Sequence, residues 1–267
     1  MGVRRLLTVL LVVASFAGCG SSGERLQASS ATLAPRFRVL VFTKATRYVH
    51  ASIPVAVAAI RRLGRAHRFA VDATADERWF TDARLSRYDA LVFVSTTGVP
   101  IARLAHRRAL ERYIAHGGGF LGVHAVSAAR YSRSWPWFIG LVGASFRKHP
   151  PGLHPATVVV TDRRSAATRM LPRRWHRVDE WYAFTSNPRG RVHVLATLDE
   201  RSYHPHGAAS MGADHPIAWC RRYAGGRSVY TAMGHPSAAY RDPRFAAHLL
   251  GAIEMAAGAA RFDCSPG

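Results

Sequence analysis

The hydrophobic pattern of the first half of the chain alternates between short apolar runs and longer amphipathic stretches. Residues 37–42 (Phe-Arg-Val-Leu-Val-Phe) are almost continuously apolar, which is typical of a strand buried on both faces of a parallel sheet. Bounded apolar runs predict three further strands, at residues 69–73, 89–95 and 120–123.

Helices are predicted between these strands and after them. Ser52 is a candidate N-cap with Pro54 in the first turn, and Gly64 marks the end of that helix. Residues 100–115 predict a second helix, and Pro243 begins a final one with a single apolar stripe. Strands and helices that alternate at these spacings indicate right-handed βαβ units.

The second half of the chain is richer in strands, predicted at residues 157–161, 192–197, 216–220 and 228–231. Neither an internal repeat nor a second apolar core beyond a linker is visible. The sequence therefore predicts one α/β domain over residues 36–260, with a mainly parallel central sheet and a short tail at residues 261–267.

The N-terminus has the pattern of an export signal. Arg4 and Arg5 precede an apolar run at residues 6–16, and small residues lead to Cys19. This resembles a lipobox, so residues 1–19 are expected to be a lipoprotein signal with Cys19 as the lipidated residue. An ordinary cleaved signal with an incidental cysteine is the alternative. Residues 20–35, rich in Ser, Ala and Gly, are expected to be a flexible tether to the membrane.

Export also bears on the two remaining cysteines, Cys220 and Cys264. An oxidising compartment permits a disulfide between them. The sequence does not place them within bonding distance, so a disulfide and two free thiols both stay open.

The formal net charge of +21 raises the question of a nucleic-acid partner. All but two of the 37 basic residues are arginine, and they are scattered along the chain rather than concentrated in one run. Such scatter is typical of a compositional preference, so no specific nucleic-acid binding is expected. Attraction to anionic lipid or cell-wall polymer remains, and salt would screen it.

Polar and ionisable residues recur directly after predicted strands. Ligands of open α/β sheets collect at the carboxyl ends of the strands. The residues placed there, or in nearby loops, include Lys44, His50, His124, Glu180, His215 and His235.

The strongest local signal is the run from Gly117 to Ala125, Gly-Gly-Gly-Phe-Leu-Gly-Val-His-Ala. Its glycines allow a tight entry into a short strand, and a sharp strand-to-helix turn would present His124 at its tip. The alternative is that the glycines only pack a helix against the sheet.

Imidazole and carboxylate groups suggest acid–base or metal chemistry. We expect His124, Glu180 and His50 to be catalytic, and His124, His215 and His235 to hold a divalent metal, with Zn²⁺ favoured. Asp179 precedes Glu180, so on a strand only one of the two faces the pocket, and Glu180 is preferred. The competing interpretation makes these residues structural or surface groups.

A sugar-type small molecule is the expected ligand. Trp181, Tyr182 and Tyr240 are candidates for an aromatic binding surface, with Lys44 as a polar contact. Core packing is the alternative explanation for the aromatic residues.

The same motifs carry a resemblance to the ThuA-like (trehalose utilisation) family, whose fold is similar to class I glutamine amidotransferases. The matching blocks run in order over roughly residues 37–258 and include the glycine run ending in His124, Asp179-Glu180-Trp181-Tyr182, Asp214-His215-Pro216 and Gly234-His235. The resemblance implies a flavodoxin-like three-layer sandwich. Glutamine amidotransferases have a cysteine at the strand-to-helix turn, whereas this chain has His124, so glutaminase activity is not expected.

The family association with disaccharides leaves three hypotheses. The first is an enzyme that processes a keto-glycoside by acid–base or metal-assisted chemistry. A two-carboxylate glycosidase using Glu180 and Asp214 is a weaker enzymatic alternative. The third is a non-catalytic, surface-tethered carbohydrate-binding protein.

Overall fold

The computed structural model describes residues 34–131 and 134–266 of the chain. The predicted signal, Cys19 and most of the predicted tether lie outside these residues. Eleven strands are present in the described part: β1 (Arg38–Phe42), β2 (Ala70–Thr74), β3 (Ala90–Val94), β4 (Gly119–Val123), β5 (Phe146–Lys148), β6 (His154–Val160), β7 (Arg174–Asp179), β8 (Ala183–Phe184), β9 (His193–Asp199), β10 (Pro216–Tyr223) and β11 (Gly226–Thr231).

The helices of the described residues are α1 (Ile53–His67), α2 (Asp82–Leu85), α3 (Leu104–Ala115), α4 (Pro136–Val142) and α5 (Pro243–Ala257). Helix α1 passes the predicted end at Gly64, and Arg68 closes it in a left-handed conformation with φ 57°. Helix α3 begins at Leu104 rather than at Pro100, because Arg103 is still extended. In the described part of the chain no helix has the length and apolarity needed to cross a membrane.

Nine strands form one sheet in the order β2-β1-β3-β4-β11-β10-β9-β6-β7. The first five pair in parallel. Strands β3 and β4 are buried along their whole length, in keeping with the continuous apolar runs that predicted them. Helix α5 packs against α1 and against β3, β4 and β11. The α/β class is therefore confirmed.

The prediction of a mainly parallel sheet holds for only one half. Strands β10, β9, β6 and β7 each pair antiparallel with their neighbour. The change of direction occurs at the β10–β11 hairpin, whose two connecting residues, Ala224 and Gly225, have φ values of 49° and 95°. A two-residue turn with positive φ is suited to an antiparallel hairpin, and the apolar pattern of the strands does not reveal it.

Strand β7 was not predicted, because two of its three buried positions are charged. Alternate residues Trp175, Arg177 and Asp179 face inward, and the last two form an ion pair of 2.7 Å. Buried charges in a strand hide the period-two pattern on which the prediction depends.

Cys220 and Cys264 form a disulfide, with their Cα atoms 5.5 Å apart. The bond links β10 to the segment that follows α5. Of the two alternatives left open by the sequence, the structure contains the disulfide.

Candidate functional site

Three histidines follow parallel strands at the same edge of the sheet. His50 lies in the β1–α1 connection, His124 directly follows β4, and His235 follows β11. The carboxyl ends of parallel strands meet at one edge. One ligand atom from each of these histidines and one from Glu180 lie within 4.8 Å of one another. We call these four residues the His–Glu cluster.

His124 occupies the sharp turn that its glycine-rich surroundings predict. Strand β4 ends at Val123, a 3-10 turn begins at His124, and the φ of His124 is 56°. A left-handed conformation is uncommon for a residue with a side chain and often occurs at functional sites. The turn directs the imidazole, which is fully buried, into the His–Glu cluster.

The hydrogen bonding of His124 leaves one ring nitrogen for the cluster. Its Nδ1 lies 2.8 Å from the carbonyl oxygen of Ala232, and a carbonyl can only accept. Nδ1 therefore donates, and in the neutral ring Nε2 carries a lone pair directed at Glu180 and His235. Histidines that bind metals are commonly oriented by such a bond from the other nitrogen.

Three atoms of the cluster form a compact triangle. His124 Nε2 lies 3.1 Å from His235 Nδ1 and 3.5 Å from Glu180 Oε2. His235 Nδ1 lies 3.0 Å from the same carboxylate oxygen. Tetrahedral Zn²⁺ with ligands at about 2.0–2.1 Å has ligand–ligand distances of about 3.3 Å. The triangle therefore has the size of one face of a zinc site.

A buried carboxylate connects the two loops that supply His235 and Glu180. Asp179, which is completely buried, accepts hydrogen bonds from the backbone N–H groups of Gly234 at 2.9 Å, His235 at 3.0 Å and Glu180 at 3.0 Å. Its charge is balanced by Arg177 at 2.7 Å. Asp179 and Glu180 thus face different environments, as strand alternation predicts. Asp179 fixes the backbone of the two loops that carry His235 and Glu180.

The cluster shifts the pKa values of its members in different directions. Burial, followed by the neighbouring His124 and His235, lowers the pKa of His50 from 6.5 to about 3. Burial alone would raise the pKa of Glu180, but the neighbouring imidazoles of His124 and His235 outweigh it and hold that pKa well below its usual value. The hydrogen bond to Glu180 raises the pKa of His235. Glu180 is therefore an anion at neutral pH, and His50 is a neutral base.

The cluster opens into a cleft of about 1370 Å³. Tyr182 lines this cleft, and its ring lies 4.5 Å from that of His124 and 4.3 Å from that of Phe146. His149 also lines it, with Nδ1 3.4 Å from Glu180 Oε1. The cleft is large enough for a disaccharide-sized ligand beside the cluster.

Three predicted ligand-binding residues do not reach the cleft. Lys44 forms an ion pair of 2.9 Å with Glu77. Trp181 is completely buried, and its indole N–H donates to the carbonyl of His154. Tyr240 is buried behind Gly234. For Trp181 and Tyr240 the core-packing interpretation describes their positions. Of the three predicted aromatic residues, Tyr182 is the one that lies against the cluster.

His215 is likewise separate from the cluster, although it follows the same kind of sequence signal. Its Nδ1 lies 2.8 Å from Glu200 Oε1, and its Nε2 lies 2.8 Å from the carbonyl oxygen of Tyr182. Both nitrogens are therefore engaged, and neither is free for a metal. Glu180, and not His215, completes the triangle with His124 and His235. We call Glu200 and His215 the buried His–Glu pair.

Sequence reasoning missed the contributions of His149 and Asp179. His149 was not named among the candidate residues. Asp179 was set aside in favour of its neighbour Glu180. Asp179 is adjacent to Glu180 in the sequence, and this was the available signal. His149 meets Glu180 only in the folded protein, where the pairing of β5 with β8 brings the two segments together.

The matching family is described as ThuA, trehalose utilisation, and it matches residues 38–256. No curated protein matches the chain. A solved structure from Bacteroides uniformis, described as ThuA-like, is 25% identical with a TM-score of 0.69, covering 85% of this chain and 94% of that one.

A second ThuA-like structure, from Parabacteroides merdae, is 20% identical with a TM-score of 0.67, covering 86% of this chain and 92% of that one. A β-galactosidase from Rahnella sp. R3 is 16% identical with a TM-score of 0.54, covering 85% of this chain but 32% of the enzyme. The second and third likenesses concern the fold alone.

Proposed function

Because the chain belongs to the ThuA, trehalose utilisation, family, we propose that it acts in carbohydrate utilisation as a metal-assisted acid–base enzyme. The family match indicates a role in trehalose utilisation; the chemistry, the substrate and the location are our proposals. The observation that carries the chemistry is the triangle of His124, His235 and Glu180 at the base of an open cleft.

In this proposal the triangle holds a divalent cation, with Zn²⁺ preferred. Two histidines and one glutamate are a common ligand set of catalytic zinc, which keeps a fourth position for water or substrate. The bond from His124 to Ala232 supplies the orienting partner, and Asp179 positions the backbone of the other two ligands. His50, with a buried Nδ1 that lacks a partner among the described residues, is the neighbouring base.

The reaction we propose is elimination from a keto-glycoside. A keto group acidifies the C–H bond beside it, and His50 would remove that proton. A cation held by the triangle would supply Lewis-acid stabilisation to the oxygen that gains negative charge. The electrons of the broken C–H bond then form a C=C bond as the adjacent glycosidic C–O bond breaks, and the leaving oxygen takes up the proton held by His50. Neither a serine nor a cysteine nucleophile is needed.

A two-carboxylate glycosidase finds less support. Asp214 forms an ion pair with Arg189 and accepts a hydrogen bond from Asn187. It is not among the residues that line the cleft. A glycosidase needs both carboxyl groups beside the scissile bond, and Asp214 and Glu180 do not share the cleft.

The proposal places this chemistry outside the cytoplasm, in a lipoprotein anchored through Cys19, on the basis of the N-terminal sequence. It does not include a specific nucleic-acid partner. We also assign the domain to the flavodoxin-like sandwiches. When its five parallel strands are numbered among themselves in chain order, so that β11 is the fifth, they lie in the order 2-1-3-4-5 that is typical of that fold.

The proposal is tested by elemental mass spectrometry of the purified protein, followed by assays on 3-keto-disaccharides with and without added Zn²⁺. We expect nearly one metal per chain and metal-dependent cleavage, both lost in His124→Ala. His67→Ala is the matched control, since His67 is exposed at the end of α1.

Three outcomes separate the alternatives. Metal without turnover of any keto-sugar would contradict the reaction but keep the site. Turnover without metal would make His50 and Glu180 a metal-free acid–base pair. Saturable sugar binding without turnover, unchanged in Glu180→Gln, would instead identify a tethered carbohydrate-binding protein.

A further inference from the structure

The edge of the sheet opposite the His–Glu cluster carries a concentration of arginines. A cleft of about 1010 Å³ there is lined by Arg163, Arg164, Arg169 and Arg173, among other residues. All four are exposed, and none forms an ion pair within the described residues. We call these four residues the arginine edge.

Strand direction places the arginine edge opposite the site. The site lies at the carboxyl ends of β1, β4 and β11. The arginine edge follows the end of β6 and precedes the start of β7. Along the sheet, β7 runs in the same direction as β1 and β6 runs against it, as the pairings require. Both segments therefore lie at the amino-terminal edge of the parallel strands.

The acidic residues of this cleft do not neutralise the arginine edge. Asp162 pairs with His193, Glu254 with Arg36, and Asp263 with Arg261. The local excess of positive charge is therefore available to an external anion.

An apolar side chain projects beside these arginines. Met170, next to Arg169 in the chain, is 71% exposed, the largest exposure among the large hydrophobic residues of the described part. Exposed apolar side chains that are bordered by cations are typical of surfaces that settle on anionic membranes.

The N-terminal chain enters at the same edge. Arg36 lines the same cleft, and only 14 residues separate Cys19 from Ala34. A chain of that length spans at most about 50 Å. A lipid on Cys19 would thus tether the domain to the bilayer through a chain that joins it at the arginine edge.

We propose that the arginine edge and Met170 form a docking surface for an anionic lipid bilayer. In the docked orientation the His–Glu cluster opens away from the membrane, toward substrate in solution. This inference rests on the proposed export and anchoring for its location, but it is independent of the proposed sugar chemistry.

The test uses the full chain isolated from membranes and reconstituted into vesicles, with a polarity-sensitive dye on Met170→Cys. Cys220 and Cys264 are joined in a disulfide and a lipidated Cys19 has no free thiol, so the dye labels the new thiol. We expect a blue-shifted emission in vesicles with 30% phosphatidylglycerol and none in phosphatidylcholine alone. The matched control is Leu104→Cys, 60% exposed at the start of α3 near the opposite edge, which should show no shift.

Charge removal tests the arginines themselves. Arg169→Gln/Arg173→Gln should weaken the docking equilibrium by about 30-fold, since each arginine near an anionic surface contributes about 1 kcal/mol. Arg103→Gln/Arg108→Gln removes the same charge from exposed positions of the α3 region and should leave docking unchanged.

The outcomes distinguish the docking surface from the proposed lipid anchor on which it rests. Mass spectrometry of the N-terminus reports whether Cys19 is lipidated. A lipidated chain without the dye shift would overturn the docking surface and leave the anchor intact. A shift produced by soluble inositol hexaphosphate as readily as by vesicles would also overturn it, because the ligand would then be a free polyanion.

Discussion

The His–Glu cluster and the buried His–Glu pair contain the same chemical groups but have opposite properties. In the pair, His215 uses both nitrogens on Glu200 and on the carbonyl of Tyr182, and its side chain is completely buried. In the cluster, two imidazole nitrogens and one carboxylate oxygen face one another across 3.0–3.5 Å beside an open cleft. The comparison indicates that the proposed metal site depends on donor atoms that converge on one another beside a cleft, and not on residue type alone.

The largest expected effect concerns metal affinity. His235→Ala removes one corner of the triangle and should weaken Zn²⁺ binding by more than the roughly 10–100-fold that loss of an outer partner costs. His215→Asn should keep full metal stoichiometry, because both ring nitrogens of His215 are engaged by Glu200 and Tyr182. Competition with a chelator measures both affinities. An equal loss of Zn²⁺ affinity in the two variants would contradict the proposal that the cluster binds metal and the pair does not.

Asp179→Asn should produce the next largest effect. It leaves the buried guanidinium of Arg177 without its carboxylate, which we expect to lower the free energy of unfolding by about 3–5 kcal/mol. Because the loops of His235 and Glu180 lose their common acceptor, metal affinity should fall by roughly 10–100-fold. Urea unfolding and metal titration measure the two effects.

Asp214→Asn is the matched control for that substitution, since it breaks a partly exposed pair with Arg189. It should cost less than about 1 kcal/mol and leave metal affinity unchanged. If Asp179→Asn behaved like this control, Asp179 would have no role in positioning the cluster.

Glu200→Gln tests the structural role of the buried His–Glu pair. Burial raises the pKa of Glu200, but hydrogen bonds from His215, Ser210 and Met211 outweigh it and lower the pKa from 4.5 to about 2. A depressed carboxyl pKa stabilises the folded protein above pH 4.5, and this stabilisation is lost as the pH falls toward 2.

The Gln variant should therefore lose about 1–3 kcal/mol at neutral pH and show a weaker decline in stability between pH 4.5 and 2. Thermal unfolding as a function of pH measures the difference. Metal stoichiometry should stay the same. An unchanged pH dependence would show that Glu200 does not stabilise the fold as an anion.

Lys44→Ala should have the smallest effect. The residue was expected to contact substrate but pairs with Glu77, 29% and 13% of their side chains being exposed. Loss of such a pair costs about 0–1 kcal/mol, and sugar binding should not change. A large fall in substrate affinity, measured by calorimetry, would restore Lys44 to the binding site.

The parts of the site that the sequence predicted share one origin. His50, His124 and His235 follow strands of the parallel half, and parallel strands bring their carboxyl ends to one edge whatever their order. The turn at His124 was also foreseeable, because the glycines before it permit a tight entry. His215 follows the same signal but precedes β10, whose antiparallel direction places its start at that edge with different neighbours.

The antiparallel half was much harder to predict. Strand β7 buries Arg177 and Asp179 in place of apolar residues, so its pattern is not that of a strand with an apolar face. Strands β5 and β8 form a separate two-stranded sheet and contain three and two residues, too few for a periodicity to be recognised. These segments supply or support Glu180, Tyr182 and His149.

The sequence by itself determined the α/β class, the ionisable residues that follow the parallel strands, and the family resemblance. It could do so because apolar runs and glycine turns are local properties. The tertiary structure decided which imidazoles remain open, which aromatic rings enter the core, that Cys220 meets Cys264, and where the unpaired arginines gather. These outcomes depend on pairing between residues far apart in the chain. Hydrogen-bond satisfaction and charge neutralisation are properties of such pairs, and no local pattern records them.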